Sequence, residues 1–231
     1  MSVRIHIRWA VALATLASVL ALTGPVAVGG AEVPAPGGCP PANSPPVPAT
    51  GALQPTATAP AAPGAILVCV GSRTITGAEF AHWLAIAGKD QPPTDSNGQS
   101  SPAALDAEVL DFLISARWQV GEAEHLRIHL TRAQVERAYV RIRNQQFPKH
   151  KQFEAFLRSS GETVGDLKFR VKLNLLSQLT IKRVSSGRRG ERARARSLAR
   201  FVRGFKSRWR VRTYCAAEYL TRDCGHVLST P

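Results

Sequence analysis

Glu122, Glu124, His125 and His129 form the one polar cluster in this chain whose side chains could bind a metal or move a proton. Two imidazoles four residues apart on one helix share a face and suit a metal ion. Leu126-Arg127-Ile128, however, lies where a long helix is expected to end, so the two rings need not face together. The cluster is therefore expected to be solvated surface. His82, beside Trp83, reads as a packed or half-exposed helix residue. The chain contains no G-x-x-x-x-G-K-[ST], no G-x-S-x-G and no H-E-x-x-H, so none of the corresponding phosphate-binding, acyl-transfer or zinc-hydrolase chemistries has its residues. No catalytic residue, metal or cofactor is assigned. Whatever this chain does, it is expected to do by binding.

The four cysteines depend on the compartment, and the N-terminus supplies it. Arg4 and Arg8 precede a charge-free run from Trp9 to Ala31 that ends in small residues, Val28-Gly29-Gly30-Ala31. This is the pattern of a secretory signal, residues 1–31, either cleaved or kept as an anchor. The protein is expected to be extracytoplasmic, secreted or tethered to the outer face of the membrane. There ATP, nicotinamide cofactors and nucleic acid drop out as partners, and disulfides become the default state of cysteine. No C-x-x-C occurs, and His226 near Cys224 does not make a zinc site. Cys215 and Cys224 enclose a short loop and are expected to pair. Cys39 and Cys69 either pair with each other or leave Cys69 a buried thiol. Cys39 is a poor lipidation site, with Pro36 three places before it.

Two kinds of binding surface remain. The aromatic residues Trp83, Phe112, Trp118, Tyr139, Phe147, Phe153, Phe156 and Trp209 are the candidates for an apolar surface, although most of them must be core. Trp118 falls off the main stripe of its helix, and is either exposed or in contact with the returning C-terminal helix. The lone methionine is Met1, so an adaptable Met-rich groove is not available. The second surface is basic. The net charge is +14, yet residues 64–181 carry 14 Lys and Arg against 12 Asp and Glu, whereas residues 182–212 carry 13 against one, Glu191. Arg188, Arg189, Arg192, Arg196, Arg200, Arg203 and Arg208 are the candidates for contact with an anionic membrane or cell-wall polymer. A solvated helix face is the plainer alternative.

The elements that must position these residues are mostly helical. Residues 32–64 are Pro/Ala-rich, with ten prolines between Val33 and Pro63, and are expected to form an extended, disordered tether. Ile66–Val70 and Arg73–Ile75 flank Gly71-Ser72 as a short hairpin. Thr76-x-x-Glu79 opens a helix carrying Phe80, Trp83, Leu84 and Ala87. A polar loop, Lys89 to Pro102, leads to a long helix over about 103–125 with apolar residues at helical spacing. Thr131-x-x-Gln134 opens the next helix, a short one covers about 151–159 and ends at Gly161, and Thr163 with Asp166 caps another long one. Ser185 to Gly190 is a break. An amphipathic helix over about 191–212 sets Leu198, Phe201, Val202, Phe205 and Trp209 against arginines. The tail from Tyr214 is expected to be irregular, bracketed by Cys215 and Cys224.

This order of elements resembles a known family. The hairpin leading into Ile75-Thr76-x-x-Glu79-Phe80-x-x-Trp83, then Leu126-Arg127-Ile128-x-x-Thr131-x-x-x-Val135, Phe153-Glu154-x-Phe156-Leu157-x-x-x-Gly161 and Asp166-Leu167, is similar to the N-terminal chaperone domain of the exported foldases SurA and PrsA, over about residues 65–184. The end, Phe201 to Trp209 with Arg212-Thr213-Tyr214-Cys215 and Asp223-Cys224, looks like the C-terminus of the actinobacterial members. The resemblance implies a mostly α fold: a SurA-like helical lobe with an N-terminal hairpin, completed by residues 185–231 as a basic helix packed on the lobe and a disulfide-closed tail. It implies binding of unfolded or partly folded exported proteins without ATP. In that family a parvulin-type peptidyl-prolyl isomerase domain usually sits between the two helical parts. Here its place is Ser185 to Gly190, and nothing is inserted. The expectation is a chaperone-like protein without the isomerase site. The alternatives are an envelope adaptor working through the arginine helix, and a protein with residual isomerase activity.

Overall fold

The computed structural model describes residues 39, 48–49, 55–57, 59–90 and 101–228. The signal at 1–31 and most of the 89–102 loop lie outside the described residues. Six helices and a four-stranded sheet account for most of what is described.

The sheet begins where five apolar residues have little choice but to be buried. Strand β1 (Ile66–Val70) turns through Gly71, at φ +57°, into antiparallel β2 (Arg73–Thr76). A left-handed backbone at Gly71 costs nothing, because there is no Cβ to clash. Thr76 then caps helix α1 (Gly77–Asp90), its hydroxyl accepting from the Glu79 N–H at 3.3 Å. Ser101 caps α2 (Pro102–His125), with Pro102 in the first turn, where its missing N–H leaves no intrahelical bond unmade. Reciprocal capping boxes start α3 (Arg132–Gln146) at Thr131 and α5 (Val164–Ser185) at Thr163. Between them, α4 (His150–Ser160) ends on left-handed Gly161. Helix α6 (Glu191–Arg210) follows the turn through Gly187 and Gly190, both at positive φ.

The tail departs from the expected irregular course. Thr213–Cys215 forms strand β3, antiparallel to β1, and His226–Val227 forms β4, parallel to β3, giving the order β2-β1-β3-β4. Strand β1 is thus central, and its buried side chains need partners from both ends of the chain. Both cysteine pairs are bridged, Cys39 to Cys69 and Cys215 to Cys224. With its sulfur in that bridge, Cys39 has no thiol left to carry a lipid. Such bridges fit an oxidising compartment outside the cytoplasm. Among the described residues, no helix is long and apolar enough to cross a membrane.

The segment expected to hang free as a tether is also partly attached. Cys39 is tied to β1, Pro48 bridges His226, the Ala49 N–H donates to the Gly225 carbonyl at 3.3 Å, and the Thr56 N–H donates to the Glu218 carbonyl at 2.9 Å. Proline removes donors but does not prevent an extended chain from lying along a sheet edge.

Two cores result. The larger joins the hairpin, α1, α2, Trp209 and the tail, with Leu110, Leu113 and Ile114 fully enclosed. The smaller lies among α3, α4 and the start of α5, around Tyr139, Phe153 and Val171. Helix α5 connects them, packing on α3 and also on α2 and α6.

Candidate binding surfaces

The eight aromatic candidates do not assemble into an open groove. Trp83 lies 4.9 Å from Phe112 and 6.0 Å from Phe169 between ring centroids, with the Arg170 guanidinium 5.0 Å over its face. Tyr139, Phe147, Phe153 and Phe156 pack on one another in the smaller core. Trp118 is 2% exposed; its indole N–H donates to the Thr213 hydroxyl at 2.8 Å and its ring meets Phe205 of α6 edge-on. It departs from the stripe of α2 because α2 has a second covered side, the one under α6 and β3. Trp209 is buried as well. Of the set, Trp83, Trp118, Tyr139, Phe153 and Trp209 are buried, and Phe112, Phe147 and Phe156 are half-buried against the two cores. Among the described residues, Val140, Ile181 and Val211 are the large hydrophobics left exposed, and they lie on three different elements or turns.

The polar cluster divides differently from the expectation. Glu122 is not solvated: it is 2% exposed and accepts from the Trp209 indole N–H at 2.7 Å and from Arg208 at 2.6 Å. A buried carboxylate persists only with such charge-assisted partners. The preceding residue makes the contact possible. A Cβ on Gly121 would sit 2.1 Å from the Trp209 ring, so the absence of a side chain lets the indole lie against the α2 backbone. Glu124 points outward to pair with Arg73. His125 ends α2 and His129 lies in the following loop, both exposed, with Arg127 between them in the left-handed region at φ +54°. That turn closes α2 with the Ile128 N–H on the Ala123 carbonyl at 2.7 Å and places the imidazoles on separate segments. Among the described residues, no group of three or more His, Cys, Asp or Glu is placed to hold a metal ion. His82 bonds Asp166 at 2.9 Å, connecting α1 to the start of α5; with the Thr163 bonds, this holds the Asp166 carboxyl below its usual range in spite of partial burial.

A pair of carboxyls escaped sequence reasoning because 112 residues separate them. Asp111 on α2 feels the charge of Asp223 in the tail, and both feel Arg222, whose Nε lies 3.3 Å from Asp111. Burial first, and then the Asp223 charge, push the Asp111 carboxyl up to about 6, against the Thr221 and Arg222 bonds that pull it down. Burial also raises Asp223, against the pull of Lys206, Arg222 and Arg210. The pair lies between α2 and the tail, with the Thr221 hydroxyl on Asp111.

The basic candidates are exposed. Arg188, Arg189, Arg192, Arg196, Arg200 and Arg203 face solvent, while Leu198, Phe201, Val202 and Phe205 are partly covered. Ser197 donates to the Val184 carbonyl at 3.1 Å and fastens α6 to the end of α5. Arg208 is exposed too, but its guanidinium is engaged by Glu122 and contributes to docking α6.

One cavity lies beside the N-terminal segment. It measures about 230 Å3 and is bounded by Ala57, Pro60 and Ala61 on one side and by Phe80, Leu84 and Tyr219 on the other, with Asp106 at its margin. Burial raises the Asp106 carboxyl; the Tyr219 hydroxyl is raised by burial and then by the Glu218 and Asp106 charges.

No protein-family model, curated protein or solved structure matches this chain.

Proposed function

We propose that this protein is an extracytoplasmic, ATP-independent chaperone that holds unfolded or partly folded exported polypeptides, built on a SurA/PrsA-like lobe without the parvulin isomerase domain. One observation carries the reading. The chain on either side of the exposed Ser185–Gly190 turn contributes to one body: α6 lies on α5 and α2, and β3 pairs with β1. A lobe normally interrupted by an inserted domain needs this arrangement, with its two halves meeting at an exposed junction. The two disulfides support a working place outside the cytoplasm. With no residues for a second domain at the junction, no proline isomerisation is expected, and client binding involves no covalent step.

The test is suppression of aggregation of a cysteine-free enzyme diluted from guanidinium, in the presence of the protein from residue 32 onward with both bridges intact. Suppression that persists at high salt supports the chaperone. Loss of suppression at high salt favours the second reading, an adaptor for anionic membrane or wall polymers; the exposed arginines of α6 are the observation behind it. Turnover of a proline peptide above background would overturn the non-catalytic assignment.

A further inference from the structure

The Pro/Ala-rich segment meets the fold as a bound peptide would. Strand β4 is the last strand of the sheet, so one of its edges has no neighbouring strand in that sheet. An edge of this kind is a template for pairing with another chain. Pro48 makes an antiparallel bridge to His226 on β4, and the Ala49 N–H bonds the Gly225 carbonyl. Further along, the Thr56 N–H bonds the Glu218 carbonyl, Pro55 is buried, and Ala57 and Ala61 pack on the larger core. Main-chain bonds to a sheet edge, with small apolar side chains set into the surface beside it, are the β-addition mode of peptide recognition.

We infer that the surface formed by β4, the Ala217–Tyr219 turn and α1 is a groove for extended, apolar polypeptide, filled in the resting protein by this chain's own residues 48–49, 55–57 and 59–61. The inference rests on the chaperone reading for the identity of the natural occupant, but not for the existence of the groove. One feature argues for an occupant that can be displaced: the segment's alanines fill the groove incompletely, leaving the cavity of about 230 Å3 between Ala57 and Ala61 on one side and Phe80, Leu84 and Tyr219 on the other. That is below the roughly 300–1,000 Å3 of small-molecule clefts, and it suits one aliphatic or aromatic side chain of a client. Against displacement, the segment is tied at both ends, by the Cys39–Cys69 bridge and by the peptide chain into β1. A double tie holds a weak ligand in place at high effective concentration. The resting groove is thereby shielded from self-association, and a client must outcompete a poor but tethered occupant.

The test uses a fluorescein-labelled synthetic peptide with the sequence of residues 47–63, followed by anisotropy against the protein from residue 32 onward. The unaltered protein is expected to bind it weakly. Cys39→Ser, which releases one tie, and Thr56→Pro, which removes the N–H bonded to Glu218 and keeps both disulfides, are each expected to tighten binding at least tenfold. A peptide carrying Ala57→Leu is expected to bind severalfold tighter than the parent peptide, because the added side chain enters the cavity. Equal affinity for the unaltered protein and both variants, or no binding to variants whose circular dichroism is native, overturns the groove. If Cys39→Ser does not fold, Thr56→Pro decides alone. Peptide binding without suppression of aggregation keeps the groove and removes the chaperone; suppression without peptide binding does the reverse.

Discussion

Two residues in α2 state what this fold requires at single positions. Alanine is the best helix former, and replacing a mid-helix glycine with it ordinarily stabilises a helix by about 1 kcal/mol. At Gly121 the sign reverses. The new methyl group would meet the Trp209 ring, which is itself fixed by its bond to Glu122, so neither partner can yield without cost. Gly121→Ala is expected to destabilise the protein by about 1–3 kcal/mol, the range for overpacked cores, as read by urea unfolding; a stabilised variant would remove Trp209 from α2. Asp111 yields a pH dependence. Its folded pKa, about 6, lies above the ordinary carboxylate value of 3.8. The fold therefore holds this proton more tightly than the unfolded chain does, and stability falls as pH rises from about 4 to about 6, then levels off. Asp111→Asn removes that loss. Each tenfold difference in proton affinity between the folded and unfolded chain is worth roughly 1.4 kcal/mol. After a discount for the lost Arg222 and Thr221 bonds, the gain is expected to be about 1–2 kcal/mol at pH 7.5 and to vanish near pH 4. Thermal unfolding at the two pH values measures it, and a variant less stable at pH 7.5 would show the carboxylate to be a net anchor for Arg222.

At the scale of elements, the tail depends on a short covalent loop. Cys215 and Cys224 are nine residues apart in sequence, and closing a loop of that size is worth about 2–3 kcal/mol through the unfolded chain. The double change Cys215→Ser and Cys224→Ser is expected to cost that much by urea unfolding. It is also expected to raise amide exchange first at β3 and β4, because strands of three and two residues have little pairing of their own. Protection unchanged at Tyr214 and Val227 would mean that the sheet holds the tail unaided. The same brevity explains what the sequence concealed. Helices of 11 to 24 residues repeat their stripe several times, and two of them announce their starts with Thr131 and Thr163, so their limits were legible to within a residue or two. Strands of three and two residues have no period to read; β3 exists because β1 has an open edge after the hairpin forms, and β4 then adds to β3. The α2–α6 clamp was hidden for a related reason. Glu122 and Trp209 are 87 residues apart, and the one local trace of their meeting was a glycine in the middle of an otherwise good helix. Residue type alone does not tell a groove from a core, so which aromatic candidates are buried, as Trp118 and Trp209 are, was not legible.

At the scale of the whole molecule, charge and apolar contact are segregated, and that separation can be measured. The arginines of α6 face solvent on one side of the helix, whereas the groove under residues 55–57 and 59–61 is bounded by main chain and apolar side chains. Release of counterions makes the first kind of binding fall steeply with salt. Burial of apolar surface responds weakly and in the opposite direction, since salts that are excluded from surfaces strengthen it. Reversing Arg192, Arg196, Arg200 and Arg203 to Glu leaves the Glu122–Arg208 clamp and the apolar side of α6 in place, so the fold is expected to survive. Binding to vesicles containing anionic lipid is expected to be strong at low salt, to weaken at least tenfold between about 50 and 200 mM salt, as for ligands that neutralise several charges, and to disappear in the reversed protein. Suppression of client aggregation is expected to be nearly the same in both proteins. Should the reversal abolish both activities while circular dichroism stays native, clients are being held by their acidic segments on α6. The helical lobe would then be the scaffold for a basic surface, and the adaptor reading would replace the chaperone.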